Sequence, residues 1–478
     1  MVNELPVPTL TPTPADEICV GSSITYTTEA GQSNYVWTVP GTAGTDYTIT
    51  AGGIGATDHT VTLTWLTSGT KDVSINYTNS NNCAAASATV NSTIVNALPV
   101  PVFTTAPPSQ VCVGSSVTYT TEDSQSNYQW TIDGIAGTDY TITSGGIGST
   151  NNSVTLTWLT SGTKQVSVNY TNANNCTAAT ATVNSTIVNA LPTPTFTSPV
   201  VSEVCVGAPI TYTTQPGQSN YAWTISGVAG TDYTITSGGI GASSNTVTLR
   251  WLTAGTKNVS VNYRNANNCL AAAAVVNSTT VNALPTPTFI APPSSEVCVG
   301  ESVTYTTEAG QSNYLWTIPG TSGTDYTITG GSVATTSNTV TLTWLTAGTK
   351  NVSINYTNAS NCTAVAAVVN STIVNALPTP TFTSSIPAEV CVGTSITYTT
   401  QSGQDNYSWT VPGTAGTDYT ITAGGIGQFD NSVTLTWLTD GTKVVSVNYS
   451  NSNNCSAASA VSNTININAL PVPTFIVA

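Results

Sequence analysis

One period governs this chain. The segment Leu-Pro-x-Pro begins at Leu5, Leu98, Leu191, Leu284, Leu377 and Leu470, each 93 residues from the last, with no insertion or deletion. Cysteines keep the same step at Cys19, Cys112, Cys205, Cys298 and Cys391, and again at Cys83, Cys176, Cys269, Cys362 and Cys455. So do the tryptophans, from Trp37 and Trp65 to Trp409 and Trp437. A fixed period of this kind sets the organisation before any finer reading. It predicts five repeats at 5–97, 98–190, 191–283, 284–376 and 377–469, with 470–478 opening a sixth. A unit of this length is too long for a solenoid turn that leans on its neighbours, and it suits a small self-contained β-sandwich. Near-identity of the copies implies recent duplication, so a residue's presence in all five is not by itself a sign of function. The opened sixth repeat, and Met1 as the only methionine, lead to the expectation of a piece cut from a longer array.

Within a repeat, apolar residues alternate with threonine, serine and asparagine, which is the signature of half-buried strands. Ile24 and Tyr26 share one face; Tyr35, Trp37 and Val39 share another; Val61, Leu63 and Trp65 alternate with threonines; Val73, Ile75 and Tyr77 alternate with Ser74 and Asn76. Shorter strands fit Tyr47–Thr50 and about 87–96. The opening Leu-Pro-x-Pro-Thr is expected as an edge strand, because proline cannot donate to a central ladder. No stretch has helical period. The class is all-β: a tandem array of five immunoglobulin-like sandwiches forming an extended rod. Trp37 falls on the third strand, where such a sandwich keeps its core tryptophan, and Tyr26, Trp65 and Tyr77 complete the predicted core. Tyr47, next to a Gly-Thr-Asp turn, is the aromatic expected at the surface.

Only 6% of residues are charged and the net charge is −15, with 7 basic residues in all. That excludes a basic patch for nucleic acid, and equally a polybasic hold on anionic lipid. The longest apolar run, Leu270–Val276, falls far short of the roughly 20 residues a spanning helix needs. No membrane insertion is expected. Threonine-rich faces supply solubility without charge, given threonine's fit to strands.

Two cysteines per repeat, without Cys-x-x-Cys or Cys/His clustering, indicate disulfides and an oxidising, extracellular setting rather than zinc. The pairing has two solutions. In an immunoglobulin-like topology Cys19, before the second strand, and Cys83, after the sixth, lie at opposite poles roughly 20 Å or more apart, far beyond the ~7 Å limit between bonded Cα atoms. A shifted strand register would allow Cys19–Cys83 within a repeat. Otherwise the bonds join neighbours head to tail: Cys19 to Cys176, Cys112 to Cys269, Cys205 to Cys362 and Cys298 to Cys455. Between repeats the chain reads Val-Asn-Ala-Leu-Pro-x-Pro, a short connector stiffened by proline.

Catalytic constellations are missing. His59 is the only histidine, and the other copies place Asn152, Ser244, Asn338 and Asn431 in that loop, so no triad can run through the array. Asp16 and Glu17 become Ser109 and Gln110 in the second copy, which removes a paired-carboxylate mechanism. Calcium is the one cofactor the pattern admits, at Asp46, Asp139, Asp232, Asp325 and Asp418. A single aspartate per site favours turn capping instead, since calcium takes six to eight oxygens. Lys71, Lys164, Lys257, Lys350 and Lys443 are expected in an exposed Gly-Thr-Lys turn. The loop around Ala56–Thr60 differs most among copies and carries Phe429 in the fifth.

Val111 to Tyr119, Asn127 to Ile132, Val154 to Trp158 and Val166 to Cys176 read Val-Cys-Val-Gly-x-x-Val-Thr-Tyr, Asn-Tyr-x-Trp-Thr-Ile, Val-Thr-Leu-Thr-Trp and Val-Ser-Val-Asn-Tyr ending in Asn-Asn-Cys. This pattern, present in essentially every repeat, resembles the PKD-like, immunoglobulin-like repeats of very large Bacteroidota surface proteins, including gliding-motility adhesins. The resemblance implies a non-enzymatic stalk or filament of a cell-surface adhesin, with surface glycans or abiotic surfaces as partners. A repeat-borne carbohydrate-binding module and a self-assembling extracellular fibre are the alternatives.

Overall fold

Alternation fixes which face of each strand is buried, because a slip of one residue would turn every apolar side chain outward. The computed structural model describes residues 2–11 and 13–474. The first repeat folds as β1 (Glu17–Cys19), β2 (Ser23–Thr27), β3 (Ser33–Thr38), β4 (Tyr47–Gly52), β5 (Thr60–Trp65), β6 (Gly69–Thr78) and β7 (Thr89–Asn96). One sheet runs β1-β7-β6-β3 and the other β2-β5-β4. The other four copies repeat this pattern, the second adding a short edge strand at Phe103–Thr105, giving ten sheets in five tandem immunoglobulin-like sandwiches, with no helix among the described residues.

The two inner faces close over Tyr26, Trp37, Val61, Leu63, Trp65, Val73, Ile75 and Tyr77. Trp65 and Tyr26 are fully buried. On the outer face of β2 and β5 the hydroxyls satisfy one another across the strands: Ser23 with Thr64 at 2.7 Å, Thr25 with Thr62 at 2.9 Å, Thr27 with Thr60 at 3.1 Å. Such cross-strand pairs stabilise a sheet without charge, which accounts for the low charge of the whole chain.

One inward polar pair separates the copies. Tyr119 Oη lies 3.1 Å from Thr186 Oγ1 and Tyr305 Oη 3.1 Å from Thr372 Oγ1, both buried. In the fifth copy the threonine position is Ile465, and Tyr398 Oη has no protein partner. A made hydrogen bond contributes about 1 kcal/mol, whereas a buried hydroxyl without one is a liability. Tyr305→Phe is therefore expected to destabilise its domain by about 1 kcal/mol, and Tyr398→Phe to be neutral or stabilising. Chemical denaturation of the two variants checks this, and equal losses would contradict it.

Three sequence expectations need correction. Tyr47 is only 5% exposed, and its ring meets Trp65 edge-on at 5.6 Å. The reason is register: Tyr47 opens β4 directly opposite Trp65 of β5, with inward parity. The Leu-Pro-x-Pro-Thr segment forms no strand; pairing starts after the prolines, at Phe103–Thr105 in the second copy and at single bridges such as Phe196 with Thr214 elsewhere. Lys71 does not sit in an exposed turn. It lies within β6, half-buried, with Nζ 5.3 Å from the centre of the Trp65 ring and donating to Thr67 Oγ1 at 2.9 Å.

Candidate functional site: the interdomain junction

The strand that the sequence hides is β1. Its three residues pair in parallel with β7, Cys19 opposite Asn96. Asn96 ends β7 within the connector segment, so β1 brings Cys19 to the pole where the next domain begins. β6 runs antiparallel to β7, starting at Gly69 opposite Val95. Ten residues at about 3.3 Å each carry its far end, and the loop holding Cys83, roughly 30 Å away. A bond from Cys19 to Cys83 is geometrically closed off, and it is not formed.

What does face Cys19 is the equivalent loop of the second domain, Asn172–Cys176. There Asn172 Oδ1 accepts the N–H groups of Asn174 and Cys176, both at 3.0 Å, and Asn175 takes the left-handed conformation at φ 57°. Asparagine tolerates that region better than most residues. Asn172 also donates from Nδ2 to Ala97 O in the connector at 3.3 Å. The same donation recurs from Asn265 to Ala190, Asn358 to Ala283 and Asn451 to Ala376. One side chain thus shapes the loop and holds the connector.

Four disulfides follow: Cys19–Cys176, Cys112–Cys269, Cys205–Cys362 and Cys298–Cys455, with Cα atoms 5.5 or 5.6 Å apart. Each spans 157 residues of sequence, more than one 93-residue period, and so joins successive domains. Cys176, Cys269, Cys362 and Cys455 are fully buried by the contact. Cys83 and Cys391 are free.

Past the connector a second clamp takes hold. In the first domain Glu29 accepts Thr28 Oγ1 at 2.6 Å, the Thr9 backbone N–H at 3.2 Å, and the Thr9 hydroxyl. Glu308 does the same with Thr307 and Thr288. In the third and fifth domains Gln215 and Gln401 accept the corresponding groups through Oε1. Partial burial works against the charge of Glu29 and Glu308, but the hydroxyl and backbone donors outweigh it and hold both carboxyls at about 2; Glu122 is lowered in the same way. A folded-state value below the unfolded one contributes stability that is present above the unfolded value and lost as pH falls through the folded one. From about pH 4.5 down to about 2 the first, second and fourth domains therefore lose support that the glutamine-bearing domains never had. Solvent screening leaves on the order of 1 kcal/mol per carboxylate. Replacing Glu29, Glu122 and Glu308 by glutamine together is expected to flatten the fall of Tm between pH 5 and pH 2; an unchanged acid limb would disprove the clamp.

The other candidate positions do structural work. Asp46 accepts the Thr42 N–H at 2.8 Å and the Thr67 hydroxyl at 3.0 Å, and these bonds lower its pKa. Asp139 and Asp232 add ion pairs to Lys164 and Lys257 at 3.4 and 3.6 Å. Among the described residues no three His, Cys, Asp or Glu side chains gather as a metal site. One bond to the variable loop's backbone recurs in every copy: Trp37 Nε1 donates to Asp58 O, and Trp130, Trp223, Trp316 and Trp409 repeat the bond to Asn151, Ser244, Ser337 and Asp430. The loop side chains differ around it, Asp58 and Asp430 accepting the Gly55 and Gly427 N–H groups while Ser244 and Ser337 donate to Thr246 O and Thr339 O. Phe429 is 81% exposed.

No family model and no curated protein matches this chain. Among solved structures, a variant of titin domains I67–I69 is 15% identical with a TM-score of 0.33, covering 58% of this chain and 99% of that one. The N-terminal eight Ig domains of Down Syndrome Cell Adhesion Molecule are 13% identical with a TM-score of 0.25, covering 95% and 59%. Invasin, a bacterial integrin-binding protein, is 13% identical with a TM-score of 0.24, covering 77% and 79%.

Proposed function

We propose that this chain is the structural repeat region of a bacterial cell-surface adhesin, an extracellular stalk that projects a binding tip and serves surface attachment or gliding. The observation that carries the reading is the recurrence of one disulfide at all four junctions. A short proline connector, an asparagine clamp and a covalent bond at every junction resist bending and pulling, and neither enzymatic turnover nor ligand capture calls for them. With domains of about 40 Å, built from strands near 3.3 Å per residue, five in line make a rod on the order of 200 Å. The sugar-binding alternative loses its chief aromatic, since Tyr47 packs inside against Trp65.

Negative-stain microscopy and a glycan array on the purified chain test the proposal together. Straight particles of that length that bend after disulfide reduction, with no glycan retained, are the expected result. Saturable glycan binding by the chain would overturn it in favour of a binding module.

A further inference from the structure

The four disulfides divide the chain into short and long segments. A short segment runs from the second cysteine of one domain to the first cysteine of the next, as from Cys176 to Cys205. It holds the second domain's Thr182–Asn189 strand, the connector and the third domain's Glu203–Cys205 strand. A long segment, such as Cys112 to Cys176, holds the five strands between, and with them Tyr119, Trp130, Leu156, Trp158 and Val168 of the core. Disulfides join short segment to short segment. Cys205 bonds Cys362, which opens the segment to Cys391; Cys112 bonds Cys269, which opens the segment to Cys298, bonded in turn to Cys455. Two covalent lines result, offset by one domain: one through Cys19, Cys176, Cys205, Cys362 and Cys391, the other through Cys83, Cys112, Cys269, Cys298 and Cys455. Each domain carries one line in β1 and the other in β7, and those strands pair in parallel, Cys205 opposite Asn282 in the third.

We infer that tension along the array passes, after a short slack, to these two lines, and that the sandwiches between them are spared. A short segment has about 29 residues, which reach at most ~100 Å at ~3.5 Å each. Folded, it already crosses two domains, roughly 80 Å with strands near 3.3 Å per residue. It can therefore lengthen by only about a quarter before its backbone is taut. Unravelling the strands from β2 to β6 adds nothing to that length, because they lie in the long segments, off the line. Parallel direction suits the arrangement: β1 and β7 of one domain belong to different lines, and both lines run from the first domain towards the fifth.

The inference deepens the stalk reading by giving it a means of bearing load, yet its test does not depend on whether the chain binds a surface. The full oxidised chain is pulled from its N-terminus and from Cys391, which is exposed and takes a thiol-reactive handle without reductant; Cys83→Ser removes the competing thiol. That line holds about 76 residues, so extension should rise from about 200 Å and stop at ~270 Å, with no step. Relaxation should retrace it. Trp158→Ala, which weakens the second core, should leave the limit in place. Moving the handle to Ala478 should lengthen the limit to ~470 Å, because Ala478 follows Cys455 on the other line and the route must cross one long segment. A step longer than the ~70 Å of slack, or a relaxation that lags as a refolding core would, overturns the inference. Glycan binding with a smooth trace would strike the stalk reading and leave this one standing.

Discussion

Stretched from its two ends with the disulfides intact, the chain is expected to stop at about 470 Å, against about 1,650 Å once they are reduced, at ~3.5 Å per extended residue. The difference comes from the way the four bonds overlap. Two covalent routes tie for the shortest: both run from Met1 to Cys19, cross to Cys176, later cross from Cys298 to Cys455 and end at Ala478, and between Cys176 and Cys298 one passes through Cys205 and Cys362 and the other through Cys112 and Cys269. Each route holds about 135 residues at the same ~3.5 Å spacing. The remaining sequence lies in loops that tension cannot draw out. A domain that unfolds under load therefore releases little length, and the array keeps its neighbours close enough to refold. Single-molecule pulling with and without reductant reads both contour lengths, and equal values would mean that the junction bonds are absent in solution.

Most of the fold was legible in the residues, because Thr alternating with Val, Ile, Leu and Trp leaves one register in which the tryptophans are buried. What escaped was short or set by parity at an element's edge. β1 is three residues, Glu17–Cys19, too brief to show a period, and it borrows its conformation from β7. Without it the position of Cys19 could be placed only roughly, which is why two pairings stood open. Tyr47 and Lys71 each lie beside a Gly-Thr segment that looks like a turn: Tyr47 opens β4 as expected but with inward parity, and β6 begins at Gly69, earlier than composition implies. The second role of Asn172, donating to Ala97 O across the junction, had a signal in the recurrent Asn four residues before each second cysteine. Its meaning required the neighbouring domain.

Trp158→Ala is expected to cost 3–5 kcal/mol and to lower the melting of the second domain alone by roughly 15–30 °C. Trp158 is fully buried in an inner strand of its sheet, edge-on to Tyr140 at 5.9 Å, with Lys164 Nζ 5.8 Å from its ring. Truncation leaves a cavity between two sheets and strips a half-buried ammonium of its aromatic floor. A small domain has only about 5–15 kcal/mol in total, so one such loss decides whether it stays folded. Each of the five domains has its own closed core, and the bonds between them are confined to the poles. Heat capacity scans should therefore split into one early transition and a larger late one. Disulfides at both poles, Cys19–Cys176 and Cys112–Cys269, restrict the unfolded second domain, so reduction should move the early transition lower still. Leu159→Ala, at a side chain 38% exposed, is the control and should stay within about 0.5 kcal/mol of the parent. If all five domains shift together in Trp158→Ala, the junctions transmit folding as well as tension, and the array would have to be regarded as one cooperative unit.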